Sequence, residues 1–323
     1  MTSCVLNKSL YWLEQGRKIA LISVIETWGS SPNPVGSLMC VLDDGEFTGS
    51  VSAGCIEGEA VVDALKCIQS MEFRCLDLTV TKDMVEHAGL SCGGKIRLLI
   101  QPFDEAGSLR DYVDKKTRAV ITNITTGARL IVDDASEHIK SDVLAAIKCR
   151  QSRLITYQGD KYFINVYAEP LKLIIIGAVH ITQSVLPMAD QLGFEAIVID
   201  PRQNFATVDR FPKARVVNEW PDRALKKLEL NASMAVVALA HDPRLDDPAL
   251  MAAMDANCFY ISALGSLKNH QRRRARLQTH GYSDQQLDRI CGPAGLNIGA
   301  VGPDEIALSI IAQLVARKNQ KEP

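Results

Sequence analysis

The chain has no apolar run long enough to cross a membrane. Its longest fully apolar run, uninterrupted even by glycine, is Met234–Ala240, against the roughly 20 residues a membrane helix needs. Neither charge dominates: 36 Lys and Arg stand against 38 Asp and Glu, a net charge of −2. There is therefore no basic field for nucleic acid and no acidic tail. The segment Met1–Lys18 lacks the basic-then-apolar order of a signal peptide, so the expectation is a cytoplasmic protein with neither membrane nor nucleic acid as a partner. No internal repeat or long linker is visible. None of the nine cysteines has another three positions away, so the usual zinc half-site is missing. An odd, irregularly spaced set in a cytosolic chain reads as free thiols. Cys67, on an expected helix, and Cys258, in an expected strand, read as small buried apolar residues.

What is present is a soluble globular composition, 47% apolar and 23% charged over 323 residues. That length exceeds one ordinary core. The expected fold class is α/β: an N-terminal α+β domain over 1–168, then a Rossmann-like doubly wound parallel sheet domain over 169–323. The first half predicts a helix near Leu6–Gln15, a strand Ile19–Trp28 and a loop Gly29–Gly36. A hairpin follows, turning at Asp43-Asp44-Gly45. A helix near Glu57–Ser70 follows from the period of Ala60, Val61, Ala64, Leu65 and Ile68. Further strands are expected at Phe73–Val80, Lys95–Gln101, Arg118–Ile124 and Ala128–Asp133, with a last hairpin at Gln158-Gly159-Asp160. From Leu171 the pattern changes. Leu171–Ile176, Ala196–Ile199, Ala235–Ala240 and Phe259–Leu264 are apolar runs, each followed by helical sequence. Such runs mark strands buried on both faces of a parallel sheet.

Three groups carry chemistry. The first is the turn Gly177-Ala178-Val179-His180-Ile181-Thr182 after the strand Leu173–Ile176. A dinucleotide fingerprint has glycine where Val179 and Thr182 stand, and a Val side chain obstructs the approach of a pyrophosphate. Asp200 nevertheless lies at the spacing of a ribose-binding acid. The favoured reading is a Rossmann scaffold without tight NAD(P) binding. Pro187, inside the expected helix, should kink or break it.

The second group is His241-Asp242 and Gly265-Ser266, at the ends of two further strands. Ligands in doubly wound sheets sit beyond the carboxyl ends of the strands, so His180, Asp200, His241 and Ser266 are expected to share one crevice. A phosphate at Gly265-Ser266 would use the helix start. Arg272, Arg273, Arg274 and Arg276 on that helix read more simply as a solvated basic face, and His241 equally well as a turn residue.

The third group lies in the first domain. Gly49–Glu59 ends a strand and opens a helix with small residues and a thiol, Cys55. Glu57 and Glu59 suit the helix dipole, and a helix start lowers a thiol pKa. Ser91-Cys92-Gly93-Gly94 repeats the theme. Two such turns in one small domain exceed what packing requires.

On these residues the chain resembles the XdhC/CoxI family, the xanthine dehydrogenase accessory proteins. The resemblance rests on Gly29-Ser30-Ser31-Pro32 with Pro34-Val35-Gly36, on Gly49–Ser52 with Gly54-Cys55-Ile56-Glu57-Gly58, and on Cys92-Gly93-Gly94. In the second domain it rests on Ile175–Ala178 with His180, Asp200-Pro201-Arg202, Ala240-His241-Asp242 and Leu264-Gly265-Ser266. Pro293–Ala300 and Pro303–Ala307 extend it to nearly the whole chain. Departures occur at Val179 and Ala53, where the family usually or often has glycine, and at Ser91 and Pro201.

The resemblance implies a maturation factor rather than an enzyme with catalytic residues. Such a protein binds molybdenum cofactor (molybdopterin), protects it and assists its sulfuration by a cysteine desulfurase. It then inserts it into a molybdenum hydroxylase of xanthine or aldehyde dehydrogenase type. The implied cofactor-binding residues are Gly36, Ser50, Ser52, Gly54, Cys55, Glu57, Cys92, Gly93 and Gly94 in the first domain. In the second they are Gly177, His180, Asp200, His241, Asp242, Gly265 and Ser266. Cys55 and Cys92 are the candidate molybdenum contacts, since soft thiolates suit that metal. A homodimer is a further expectation. Two other readings stay open: an NAD(P)-dependent oxidoreductase using Gly177 and Asp200, and a sulfurtransferase acting through Cys55 or Cys92.

Overall fold

The structure, a computed structural model, describes residues 2–29, 33–52, 54, 56–79, 94–113, 119–130, 136–167 and 169–319. The chain divides into two compact units, Met1–Glu169 and Pro170–Pro323.

The first unit opens with α1 (Thr2–Glu14), β1 (Ile19–Trp28), β2 (Leu38–Leu42), β3 (Phe47–Gly49) and α2 (Glu57–Ser70). β4 (Arg74–Thr79) and β5 (Lys95–Phe103) complete an antiparallel sheet of order β3-β2-β1-β5-β4. β1 is buried on both faces because its alternate residues serve two helices. Ala20, Ile22 and Val24 pack with Ala60, Ala64 and Cys67 of α2. Ile19 and Leu21 pack with Val5, Leu6 and Trp12 of α1. Then come α3 (Ala106–Val113), β6 (Ala119–Asn123), β7 (Arg129–Leu130), α4 (Glu137–Cys149), β8 (Arg153–Tyr157) and β9 (Asp160–Val166). These four strands form a second antiparallel sheet, β7-β6-β9-β8, with Ile139, Val143 and Ala146 of α4 in its core.

The second unit contains β10 (Lys172–Ile176), α5 (His180–Gln191), β11 (Glu195–Ile199), β12 (Arg215–Val217), α6 (Pro221–Leu228) and β13 (Met234–Ala238). α7 (Pro243–Asp255), β14 (Tyr260–Ala263), α8 (Leu267–Thr279), α9 (Asp284–Leu287), β15 (Ile290–Cys291) and α10 (Pro303–Asn319) follow. Its six strands are all parallel, in the order β12-β11-β10-β13-β14-β15. Leu173 and Ile175 face a core shared with α5 and α10, and Ile174 and Ile176 face one shared with α6, α7 and α8. The strand order reverses between β10 and β13, the place where doubly wound sheets open a crevice.

Several expectations change. α5 runs unbroken through Pro187 to Gln191. Pro187 is exposed, so the carbonyl that loses its partner can turn to water. Cys258 is buried but precedes β14 rather than lying in it. The expected strand Ala128–Asp133 is described only as Arg129–Leu130, and residues 131–135 lie outside the described set. α3 and α4 were not anticipated, although Ser136 caps α4 by accepting from the Ile139 N–H.

Candidate functional site

In the first unit the strand-to-helix turn after β3 is organised by one carboxylate. Glu57 Oε1 accepts from Ser50 Oγ at 2.7 Å, from the Ser52 N–H at 2.9 Å and from the Val51 N–H at 3.2 Å. Its Oε2 accepts from Ser52 Oγ at 2.6 Å and from the Gly54 N–H at 2.9 Å. Asn33 Nδ2 donates to Ser50 Oγ at 3.1 Å, tying in the preceding loop. Burial alone would raise the Glu57 pKa, but donors from Ser52 and Ser50 and the backbone outweigh it and bring it down to about 2. The helix-dipole role expected for Glu57 is thus the smaller part. Its main work is to fold the turn, and its oxygens are occupied.

What the turn leaves open is Gly54, which is exposed at φ +111°, with nothing within 4 Å of where a side chain would begin. Gly36, by contrast, is a glycine for packing reasons, since a Cβ there would strike the Ser152 side chain. Gly94 is half-buried. Cys55, Cys92 and Gly93 lie outside the described residues.

In the second unit the fingerprint turn is closed from within. Gly177 has φ +111°, and a Cβ on it would stand 2.8 Å from the Ala240 nitrogen. The glycine thus lets two strand ends approach at the crossover point. Thr182 is fully buried and donates to the Gly177 carbonyl at 2.7 Å. Asp200 is fully buried, its Oδ2 accepting from the Ala178 N–H at 2.8 Å and from Arg202 Nη2 at 2.7 Å. Its Oδ1 accepts from the Arg202 N–H and Nε, each at 2.9 Å. Against the cost of burial, these donors hold its pKa below the usual value. Asp200 therefore presents no spare oxygen to a ribose. His180 is exposed at the start of α5. Asp242 caps α7 through the Arg244 N–H and pairs with the Arg244 guanidinium at 2.6 Å.

The crevice of the second unit instead opens beyond β13 and β14. It is a cleft of about 660 Å³. Ile181, Leu264, Leu267, Leu296, Ile298 and Ile306 make it apolar, and His241, Asn297 and Ser309 supply polar groups. His241 sits in the left-handed region at φ +58°. Desolvation and the nearby Arg273 hold its imidazole below the ordinary pKa. Gly265 also lines the cleft, and Ser266 caps α8 by accepting from the Asn269 N–H. Of the four residues expected to share one crevice, the cleft takes in His241 and lies beside Ser266, while Asp200 is sealed away from it.

The far wall, residues 293–300, was legible only as part of the family resemblance. It is a preformed wall. The Ala294 N–H donates to the Ala263 carbonyl at 3.0 Å. Gln313 grips Gly295 twice, Oε1 accepting its N–H at 3.0 Å and Nε2 donating to its carbonyl at 3.2 Å.

Of the arginines of α8, Arg272 is exposed as expected, but the other three do not form a simple solvated face. Arg273 is 5% exposed and donates from Nη2 to the Leu264 carbonyl at 2.9 Å. Arg274 pairs with Asp284 and Asp288, and Arg276 with Asp247. Among the described residues no three His, Cys, Asp or Glu side chains gather as metal ligands, and no helix is long and apolar enough to cross a membrane.

Comparison with known proteins covers both units. The family model described as the XdhC and CoxI family matches residues 12–80, and that of the XdhC Rossmann domain matches residues 173–314. The molybdenum cofactor insertion chaperone PaoD of Escherichia coli is 25% identical over 98% of this chain and 89% of its own. A Bacillus subtilis protein named as a probable xanthine dehydrogenase component is 24% identical over 95% of this chain and 96% of its own. A solved structure named as a xanthine dehydrogenase from Bacillus halodurans is 27% identical, with a TM-score of 0.76 over 96% of this chain and 95% of that one.

Proposed function

Because the chain belongs to the XdhC and CoxI family, we propose that it is a molybdenum cofactor chaperone, carrying the cofactor as cargo rather than as a resident group. It binds and protects the cofactor in the cytoplasm and assists replacement of a terminal oxo by a sulfido ligand, the sulfur coming from a cysteine desulfurase. It then inserts the cofactor into a hydroxylase of xanthine or aldehyde dehydrogenase type. The observation that carries this reading is the end-to-end likeness to an insertion chaperone, which takes in both units at once.

The chain's own residues fit such a cargo. The turn around Gly54 leaves its backbone bare, and Cys55, next in sequence, offers the soft thiolate that molybdenum favours. Cys92 offers a second. The oxidoreductase reading loses support because the features that suggested it have internal work: Gly177 accommodates Ala240, and Asp200 is saturated by Ala178 and Arg202. The test is reconstitution. Apo-hydroxylase mixed with cofactor gains activity faster and to a higher yield with this protein present. Equal activation with and without it would remove the chaperone role.

A further inference from the structure

We infer that the cleft beyond β13 and β14 holds the phosphorylated pterin end of the cofactor. The flat ring lies against Leu264, Leu267, Leu296 and Ile298, and the phosphate lies on the N–H groups that open α8, beside His241. This placement rests on the chaperone reading for the identity of the ligand, and on the cleft for everything else.

Size and shape come first. A cleft of about 660 Å³ with apolar walls and a few polar groups has the dimensions of a cofactor site. The walls are kept wet at a cost. Leu267 is 68% exposed, Ile298 50% and Leu296 43%, apolar area that a bound flat ring would remove from water. Because the loop carrying Leu296 and Ile298 is already fixed through Ala294 and Gln313, little ordering remains to be done on binding.

Charge selects an anion. Arg273 is buried beneath Leu264, and its Nε and Nη1 have no hydrogen-bond partner. Asp246 lies within its electrostatic reach and is 2% exposed. Asp246 Oδ1 has no hydrogen-bond partner. Burial, only partly offset by Arg273, pushes the Asp246 pKa up to about 7. Asp247 also faces this guanidinium but is paired with Arg276, and no carboxylate forms an ion pair with Arg273 itself among the described residues; its field reaches His241 in the cleft. α8, a 13-residue helix, adds the positive end of its dipole at the same place. Ser266 satisfies the Asn269 N–H, while the N–H groups of Leu267 and Lys268 have no intrahelical carbonyl to reach. Gly265, at φ +133°, brings the start of α8 against His241, whose Cε1 would stand 3.8 Å from a Cβ at that position, with the Asn269 Cβ at 3.3 Å.

Exclusion completes the case. At the neighbouring fingerprint turn the groups that would recognise a dinucleotide are engaged internally: Gly177 accommodates Ala240, the Thr182 hydroxyl serves the Gly177 carbonyl and Asp200 is saturated. A ligand with one ring system and one phosphate fits the remaining half.

The same chemistry could come from a purine mononucleotide, so the test uses both. The full chain is titrated with 6-hydroxymethylpterin monophosphate, followed by pterin fluorescence, with GMP and inorganic phosphate as competitors. The expected result is saturable binding that GMP displaces at least tenfold less well and inorganic phosphate less well still. Leu267→Asp and Ile298→Asp, on exposed side chains, weaken it tenfold or more with an unchanged melting midpoint, while Leu144→Asp, on an exposed side chain of α4 in the first unit, stays within twofold. No saturable binding, GMP preferred tenfold, or affinity unchanged in both Asp variants would overturn the placement.

Cofactor content separates this placement from the chaperone reading. If protein from cofactor-making cells carries pterin and molybdenum, and the Asp variants carry as much, the placement falls and the chaperone stands. If the wild type carries neither while the cleft still takes pterin phosphate, the chaperone reading falls alone.

Discussion

Two strand-to-helix turns in this protein bury a carboxylate each and treat it in opposite ways. Glu57, opening α2, receives five hydrogen bonds from its own turn and is brought down to about 2. Asp246, in the first turn of α7, has an oxygen with no partner and is pushed up to about 7. Exposure hardly differs, 8% against 2%. Donors and burial therefore compete at each site: the five donors prevail over desolvation at Glu57, and desolvation prevails at Asp246. The first turn is a finished structural knot whose open feature is the bare Gly54. The second leaves charge unbalanced beneath a cleft, which is what a ligand site needs and a structural turn avoids.

The largest expected effect breaks the first knot. Glu57→Ala strands the donors of Ser50, Val51, Ser52 and Gly54 and should cost about 4 kcal/mol of first-unit stability. Chemical denaturation checks it, and a loss under about 1 kcal/mol would mean the turn is held by other groups. The same carboxylate sets an acid limit. Its folded pKa of about 2 lies below its ordinary 4.5. The stability it supplies is present above pH 4.5 and lost as pH falls toward 2, about 3 kcal/mol in all.

Asp246 gives the opposite slope. Its folded pKa of about 7 lies above its ordinary 3.8, so the folded state holds a proton that the unfolded state releases between those values. Its contribution to stability falls as pH rises from about 4 to about 7, by about 3 kcal/mol. Asp246→Asn should flatten that slope in denaturation curves taken from pH 5 to pH 8. An unchanged slope would show that Asp246 is not the group responsible.

The smallest effect compares two glycines with the same φ of +111°. Gly177→Ala meets the Ala240 backbone as well as strain, whereas Gly54→Ala meets strain in open space. Losses of about 3 and about 1 kcal/mol are expected by thermal or chemical unfolding. Equal losses would mean that the approach of Ala240 relaxes freely.

The parallel sheet was readable because Leu173–Ile176 and Met234–Ala238 are buried on both faces and so carry unbroken apolar runs. Glycine at 177 was readable too, but its reason was not. The fingerprint pattern points to a pyrophosphate, and the structure puts Ala240, 63 positions away in sequence, in its place. Glu57 looked like a dipole partner because sequence shows position in a helix and not the donors folded back upon it. Arg273 was hidden among three similar neighbours, although it lies four residues before the buried Leu277 and shares its helix face. α4 was missed despite a usable signal, Ser136 ahead of Ile139, Val143 and Ala146 at helical spacing. The wall at 293–300 is tied to the β14 end by a tertiary hydrogen bond from the Ala294 N–H to the Ala263 carbonyl and by apolar packing of Ala294 with Tyr260, which no local pattern announces.

The most direct measurement is the pterin and molybdenum content of the protein purified from cells that make molybdenum cofactor, pterin by fluorescence and metal by elemental analysis. A cofactor carrier returns both in near-equal amounts, close to one per chain. Protein free of both, from cells shown to contain the cofactor, would contradict the chaperone function.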